Sequence, residues 1–223
     1  LGYAEKNPEA DVEGYDACRK IAILTSLAFG NTVKFEEVYT EGITKISNED
    51  FAYAKELGSV IKLLATSYSK DGKVYAITAP FMIDSTHPLY NVNDVLNGIY
   101  VHGNVLGDVM FFGAGAGKLP TASAVVADVV DEAKNLHENI ATNWSNEPMK
   151  LTPMEETEGR FFVRVKGVTE AQAEAAFGKL QIVKVASLPD EFGFITECMK
   201  QKEYKEKISK LNGEVIAMIR VKD

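Results

Sequence analysis

Val60-Ile-Lys-Leu-Leu-Ala-Thr-Ser-Tyr-Ser-Lys-Asp-Gly-Lys-Val-Tyr-Ala-Ile-Thr-Ala-Pro-Phe-Met82 decides the fold. Two apolar runs, Val60–Tyr68 and Val74–Met82, flank Lys70-Asp71-Gly72-Lys73. Asp-Gly between such runs is a strong short-range signal for an antiparallel hairpin. Pro80 has no N–H to give to a ladder, so it is expected near the end of its strand or at an edge. Ile99–Val101 and Val105–Phe112 read as a second strand pair. A mostly antiparallel sheet follows, and the flanking helices must bury their stripes against it.

Those helices are legible on both sides of the hairpin. Val12–Ala28 has apolar residues at Val12, Tyr15, Ile21, Leu24, Leu27 and Ala28, a largely helical spacing, with Gly30 as the stop. Asp11 stands where an N-cap belongs and Glu13 complements the dipole. Gly14 weakens that first turn, so something other than propensity must want it there. Ser47-Asn-Glu-Asp50 resembles a capping box opening a helix to about Leu57. After the loop Gly113-Ala-Gly-Ala-Gly117, Pro120 begins a helix that runs to about His137. The fold class expected for this front part is α+β, with helices on one face of the sheet and the other face free to meet a second copy.

Asn143–Gly159 has little periodicity and reads as a linker. Beyond it the rhythm changes. Arg160-Phe-Phe-Val-Arg-Val165 alternates as a strand. Thr169–Leu180 is a short helix with Thr169 as N-cap and Gln172 three residues on. Ile182–Ala186 and Phe192–Cys198 are strands, Glu203–Leu211 a charged helix, and Val215–Val221 a closing strand. The order βαββαβ predicts a ferredoxin-like two-layer sandwich, separate from the front and with its last strand exposed for edge pairing. The domains expected are 1–145 and 159–223, with 146–158 between them.

Composition narrows the function. The 223 residues carry a net charge of −8, with 46% hydrophobic and 25% charged residues. An acidic chain is a poor partner for nucleic acid or an anionic membrane, and no apolar run reaches the ~18 residues of a membrane span. Two Cys, Cys18 and Cys198, lie far apart, which fits a reducing cytoplasm and excludes a disulfide scaffold. Three scattered His make no metal site. Leu1 replaces Met, and no charged-then-apolar leader follows, so the chain reads as a fragment or one whose first part was removed.

The first twenty residues concentrate charge ahead of an apolar helix. Asp16 and Lys20 share a helix face, and Glu5 and Asp11 lie in the approach. Such a cluster could bind an amino acid's ammonium or hold a proton-transferring lysine; from spacing alone it reads rather as an exposed i,i+4 ion pair beside a cap. Gly113–Gly117 fails as a phosphate loop. A Walker A motif would need Gly at 112 and Ser or Thr at 119, where Phe112 and Leu119 stand, and Lys118 breaks G-x-G-x-x-G. What remains is a turn whose backbone another group can approach closely. His87-Pro88 reads as a turn, Trp144 as a packing anchor and Cys18 as a buried small hydrophobe.

Gly2-Tyr-Ala-Glu5, Ala10-Asp-Val-Glu-Gly-Tyr-Asp16, Ala17-Cys-Arg-Lys20, His87-Pro-Leu, Asn97-Gly-Ile-Tyr-Val and Gly113-Ala-Gly-Ala-Gly117-Lys-Leu-Pro-Thr-Ala-Ser-Ala-Val125, in that order, resemble homoserine dehydrogenase over about residues 1–140. The tail looks like the ACT domain that many bacterial members carry. Its Lys166-Gly-Val-Thr169 replaces the Asp-x-Pro-Gly ligand loop of those domains.

The resemblance implies NAD(P)-dependent interconversion of L-homoserine and aspartate 4-semialdehyde, on the route to threonine, methionine and isoleucine. It implies Lys20 as the acid/base, Glu5 and Asp16 as substrate carboxylates, and Asp11 as a further acidic position. Gly2, Gly115 and Gly117 become cofactor contacts of the NAD or NADP site. It also implies a homodimer or higher oligomer and an amino-acid effector at the tail. No strand with a Gly-rich turn precedes these motifs, so the nucleotide-binding domain is expected to be missing and the chain to hold half an active site. The competing reading is a non-catalytic regulatory and dimerisation module, which would have no need of Lys20 beside Asp16 and Glu5.

Overall fold

Asp71 and Gly72 both adopt positive φ, 51° and 72°, as a two-residue primed hairpin turn demands. The strands they join pair without a slip from Ser59↔Asp84 to Lys70↔Lys73. The computed structural model describes residues 7–222. In chain order its elements are α1 (Glu9–Val12), α2 (Tyr15–Phe29), β1 (Asn31–Thr32), β2 (Tyr39–Thr40), α3 (Asn48–Glu56), β3 (Ser59–Lys70), β4 (Lys73–Asp84), β5 (Leu96–Gly103), β6 (Gly107–Ala114), α4 (Lys118–Lys134), β7 (Ser145–Pro148), β8 (Glu158–Lys166), α5 (Glu170–Phe177), β9 (Gln181–Val183), β10 (Glu191–Ile195), β11 (Met199–Lys200), α6 (Gln201–Ile208) and β12 (Glu214–Lys222).

Two compact units divide these elements. Residues 85–143 form one; residues 7–84 join 144–222 in the other. The larger unit is built on one eight-stranded sheet. β3 takes one edge of β4 along its whole length. β2 and β12 share the opposite edge end to end, both parallel to β4, through Tyr39↔Ile77 and Thr40↔Thr78 and then Arg220↔Phe81 to Lys222↔Ile83. Pro80 is therefore not at an end or an edge. It sits inside β4, in the gap between these two short ladders, where a missing N–H is tolerated.

The tail has the expected order of strands and helices. β12, β8, β10 and β9 lie side by side and antiparallel, the split βαβ arrangement of a ferredoxin-like fold. Thr169 and Gln172 form the predicted capping box of α5. The last strand is an open edge over only part of its length, however. β8 holds one side of it, and on the other side β4 pairs with its end alone, Arg220–Lys222, because Phe81-Met82-Ile83 is buried and its backbone groups need partners; no ladder among the described residues takes that side of Glu214–Ile219. The front and tail sheets are thus continuous. Nor is 146–158 a slack tether: β7 pairs with β1, Leu151 bridges Val74, and Thr152 N–H donates to the Val74 carbonyl at 2.8 Å. Those bonds fall at isolated positions, so the sequence shows no period there.

Every residue from Phe161 to Val165 is buried. Phe161, Val163 and Val165 face α5 and α6, packing with Phe177, Phe194 and Tyr204. Phe162 points the other way, into a cluster with Tyr53 and Ala54 of α3, Met82, Ile195 and Ile219. So α2 and α3 cover one face, and the tail strands gain a second helical layer on the opposite face. Arg164 enters the α3 side as a charge. Its Nη1 donates to Asp50 Oδ1 at 2.7 Å and to Ser47 Oγ at 3.0 Å. Asp50 Oδ2 meanwhile accepts the Ser47 N–H at 2.8 Å, the reciprocal half of the predicted capping box.

In the smaller unit, β5 and β6 form a hairpin paired from Leu96↔Ala114 to Gly103↔Gly107. His87 is buried and its Nδ1 accepts the Leu89 N–H at 3.2 Å, as a His-Pro turn allows. α4 buries none of its residues and exposes Val125, Val126, Val129 and Val130.

Asp50→Ala should leave the Arg164 guanidinium buried against a weakened cap. We expect a loss of about 3–5 kcal/mol in urea unfolding, the range for breaking one half of a buried pair. A loss below about 1 kcal/mol, the range of an exposed pair, would mean that Arg164 finds water or Glu191 instead.

Candidate active site

The helix expected over Val12–Ala28 is in fact two. α1 ends at Val12, Gly14 takes φ 77° and ψ 12°, and α2 starts at Tyr15. Only glycine adopts that conformation without strain, and a Cβ there would lie 3.1 Å from Thr78 Cγ2. This is what Gly14 is for: it turns the chain at the mouth of the sheet. Asp11 is correspondingly not an N-cap. It lies exposed within α1, and neither helix has a side-chain cap. Gly42 closes the same corner from the other side. The Ile43 N–H donates to the Val12 carbonyl at 2.7 Å, and a Cβ on Gly42 would meet that carbonyl oxygen and come within 2.5 Å of Glu13 Cα.

α2 buries Cys18, Ile21, Ala22, Thr25 and Ser26 against Val33 and Val38. Tyr15 and Leu27, counted on its apolar face in the sequence, are exposed. Thr25 and Ser26 take their place because each hydroxyl donates to the carbonyl four residues back, at 2.6 and 2.8 Å. Ser26 Oγ also accepts the Val33 N–H at 2.9 Å, and Cys18 Sγ bonds the Phe35 carbonyl at 3.3 Å. A polar residue that satisfies itself locally packs like an apolar one.

With that face buried, the opposite stripe points outward. At ~100° per residue, Asp16, Lys20, Ile23 and Leu27 fall on one narrow face. Lys20 Nζ meets Asp16 Oδ2 at 2.6 Å, the two side chains 66% and 48% exposed. Ile23 and Leu27 beside them are 53% and 44% exposed. As a source of stability such a pair counts for little. As a surface it is unusual: an ion pair on a partly apolar stripe that the fold leaves uncovered.

The other expected site residues fall elsewhere. Gly2 and Glu5 lie outside the described residues. Gly115 and Gly117 belong to the unit of 85–143. Gly117 is the N-cap of α4, with φ 118° and ψ 157°, a region for glycine, and no side chain caps that helix start. Gly115 makes room for Asn97: a Cβ there would lie 2.8 Å from Asn97 Cγ. Among the described residues no group of three or more His, Cys, Asp or Glu is placed to hold a metal ion, and no helix is long and apolar enough to cross a membrane.

A family model described as homoserine dehydrogenase matches residues 1–130. The chain belongs to the homoserine dehydrogenase family. The homoserine dehydrogenase of Synechocystis sp. is 53% identical over 135 residues, 59% of this chain and 31% of that protein. The Pseudomonas aeruginosa homoserine dehydrogenase is 38% identical over 214 residues, 92% of this chain and 48% of its own length. The crystal structure of a homoserine dehydrogenase from Thiobacillus denitrificans aligns with a TM-score of 0.85 at 30% identity, covering 100% of this chain and 56% of the other. The chain therefore spans about half the length, or less, of the relatives it matches. The family match ends before the tail, while the P. aeruginosa and T. denitrificans proteins align through it.

Gly42 had no signal in the sequence, since the contact it permits joins segments thirty residues apart. Gly42→Ala should force the α1–α2 corner open. We expect a loss of about 1–3 kcal/mol, the usual cost of overpacking, read from chemical denaturation. An unchanged midpoint would show that the corner shifts freely.

Proposed function

We propose that this chain supplies the substrate side of an NAD(P)-dependent dehydrogenase interconverting L-homoserine and L-aspartate 4-semialdehyde, in threonine, methionine and isoleucine biosynthesis. The observation that carries this reading is the Asp16–Lys20 pair, held on an outward, apolar-flanked face of α2 in a chain of this family. A buried structural pair would have no reason to sit there.

In this reading Lys20 Nζ takes the hydroxyl proton of homoserine as the alcohol is oxidised, and returns it to the forming alkoxide in reduction. Asp16 orients that amine through its Oδ2 and, with Glu5, receives the substrate's ammonium and hydroxyl end; Asp11 adds negative charge on the approach. Asp16 thus fixes the place of the amine through which the proton passes. Bound NAD or NADP supplies the hydride acceptor. Gly117 fits a backbone contact to that cofactor, having neither a side chain nor a neighbouring cap in the way. Gly2 and Gly115 are the further backbone positions, the latter with Asn97 packed against it.

The ferredoxin-like tail, residues 159–223, is an ACT-like regulatory part behind a catalytic part of 1–145, with 146–158 laid between them. An amino acid is its effector class. The exposed valines of α4 fit a homodimer or higher oligomer. The acidic charge and two free cysteines fit the cytoplasm.

Lys20→Ala in the intact protein should lower kcat by about 10²–10⁴-fold, the range for losing a general acid/base, with an unchanged circular dichroism spectrum. A change within twofold would remove Lys20 from the mechanism. The 223-residue chain alone should bind NADP(H) weakly or not at all and reduce no aspartate semialdehyde. Robust turnover by it would refute the reading that half of the active site comes from elsewhere.

A further inference from the structure

Lys222 stands at the end of β12, paired through its backbone with Ile83 of β4. Its side chain is half-buried and lines a cavity of about 270 Å³ between the sheet and Gln201 at the start of α6. Ile77, Phe81 and Phe161 give that cavity apolar walls. Glu158 and Cys198, both exposed, mark where it opens to the surface. A water molecule in the liquid occupies ~30 Å³, so there is room for a ligand of several heavy atoms.

Four charged residues line this space, and three of them are engaged. Arg220 Nη1 donates to Glu41 Oε2 at 2.8 Å. Glu158 receives Lys70 at 2.7 Å. Arg160 Nε donates to the Thr196 carbonyl at 3.4 Å. Lys222 is the fourth, and no described residue gives it a carboxylate. Burial pushes its ammonium below the ordinary range. Its Nζ has no hydrogen-bond partner among the described residues, and yet it is not sealed from solvent as Arg220 Nε and Nη2 are. The neighbouring lysines go the other way. Glu158 holds Lys70, and Glu156 holds Lys200, above the ordinary range and so in the charged form.

An ammonium is strongly hydrated, and half-burying one without an anion favours the neutral amine. A neutral amine in an apolar pocket is a nucleophile, the state in which lysines form Schiff bases. A carboxylate ligand would have to shed its own water against the same apolar walls. An uncharged carbonyl does not. We propose that Lys222 and this cavity form a covalent site for a short, uncharged aliphatic aldehyde, held as an imine on Nζ with its chain against Ile77, Phe81 and Phe161. The amine lone pair adds to the carbonyl carbon. The nitrogen's two hydrogens then leave with the carbonyl oxygen as one water, a C=N bond replaces C=O, and nothing is oxidised or reduced. The site is separate from the Asp16–Lys20 face. It stands apart from the dehydrogenase reading, since the adduct forms without cofactor or turnover.

Butanal with cyanoborohydride at neutral pH, on the full chain, fixes imines as secondary amines, and peptide mass spectrometry gives a rate for each lysine. A thiol adduct at Cys198 is not fixed by this reagent. Lys222 should be alkylated about tenfold faster than the exposed Lys34 and Lys202, the gain in neutral amine when a pKa falls by one. Its rate should level off as butanal rises, because binding precedes reaction, while theirs rises in proportion. n-Butanol, which fills the cavity but cannot react, should slow Lys222 alone. Thr66→Phe, which narrows the cavity from the β3 side, should do the same, with a thermal melt to check folding. Should that variant not fold, the concentration series and n-butanol decide the matter. The proposal is overturned if Lys222 reacts no faster than Lys34, if its rate stays proportional to butanal, or if butyrate protects it better than n-butanol does, the mark of an anion site.

Discussion

One buried ion pair, Arg164 on Asp50, joins the two ends of this chain's larger unit. Asp50 is 1% exposed at its side chain and Arg164 7%. Each does two jobs: Asp50 closes the cap of α3 while receiving a charge from β8, and Arg164 reaches Ser47 and Asp50 together while Glu191 approaches its Nε at 3.4 Å. A buried pair of this kind adds little net stability over an apolar replacement, but losing one member leaves an uncompensated charge in the interior. What it ties together is β8 and the start of α3. The alignment in which β8 meets α3 is also the one in which β12 lies beside both β8 and β4. The continuous sheet and the layer of α5 and α6 are built around that placement.

The candidate active face depends on a different constraint. Gly14 and Gly42 let α1 fold back against the start of α2 so that neither helix needs a side-chain cap. α2 then commits its small and self-satisfied residues to the sheet and turns Asp16, Lys20, Ile23 and Leu27 outward. The chemistry proposed for Lys20 needs an exposed amine whose neighbours are fixed. A rigid helix seated by Thr25, Ser26 and Cys18 provides that without burying the charge itself.

Much of this was legible from local signals. Asp71-Gly72 wrote the hairpin, Ser47…Asp50 and Thr169…Gln172 wrote two caps, and the tail's alternation of elements wrote its topology. Asp16 and Lys20 four residues apart gave the site a contact that the described residues show directly. What stayed hidden was non-local. Nothing within Arg160–Val165 says that both of its faces are covered, because α3, which covers the second, is encoded over a hundred residues earlier. Thr25 and Ser26 read as polar because their hydroxyl bonds close onto their own helix. Pro80 looked like a strand end because the sequence cannot show that two short ladders meet around it. The stretch 146–158 looked slack for a related reason: its bonds to Val74 and to β1 have no repeat for a period to reveal.

The parallel pairing of Phe81–Ile83 with Arg220–Lys222 has a kinetic corollary. Some 140 residues separate the partners, so the central ladder can form only after a very large loop has closed. Closing such a loop is an entropic toll that nearby contacts do not repay in advance. The hairpin of β3 and β4 can assemble early, but its apolar far end must wait for β12, and a nascent chain carries that margin unpaired until residues 220–222 have been made. Chaperone dependence and sensitivity to small truncations at the carboxyl side are the natural companions of such a topology.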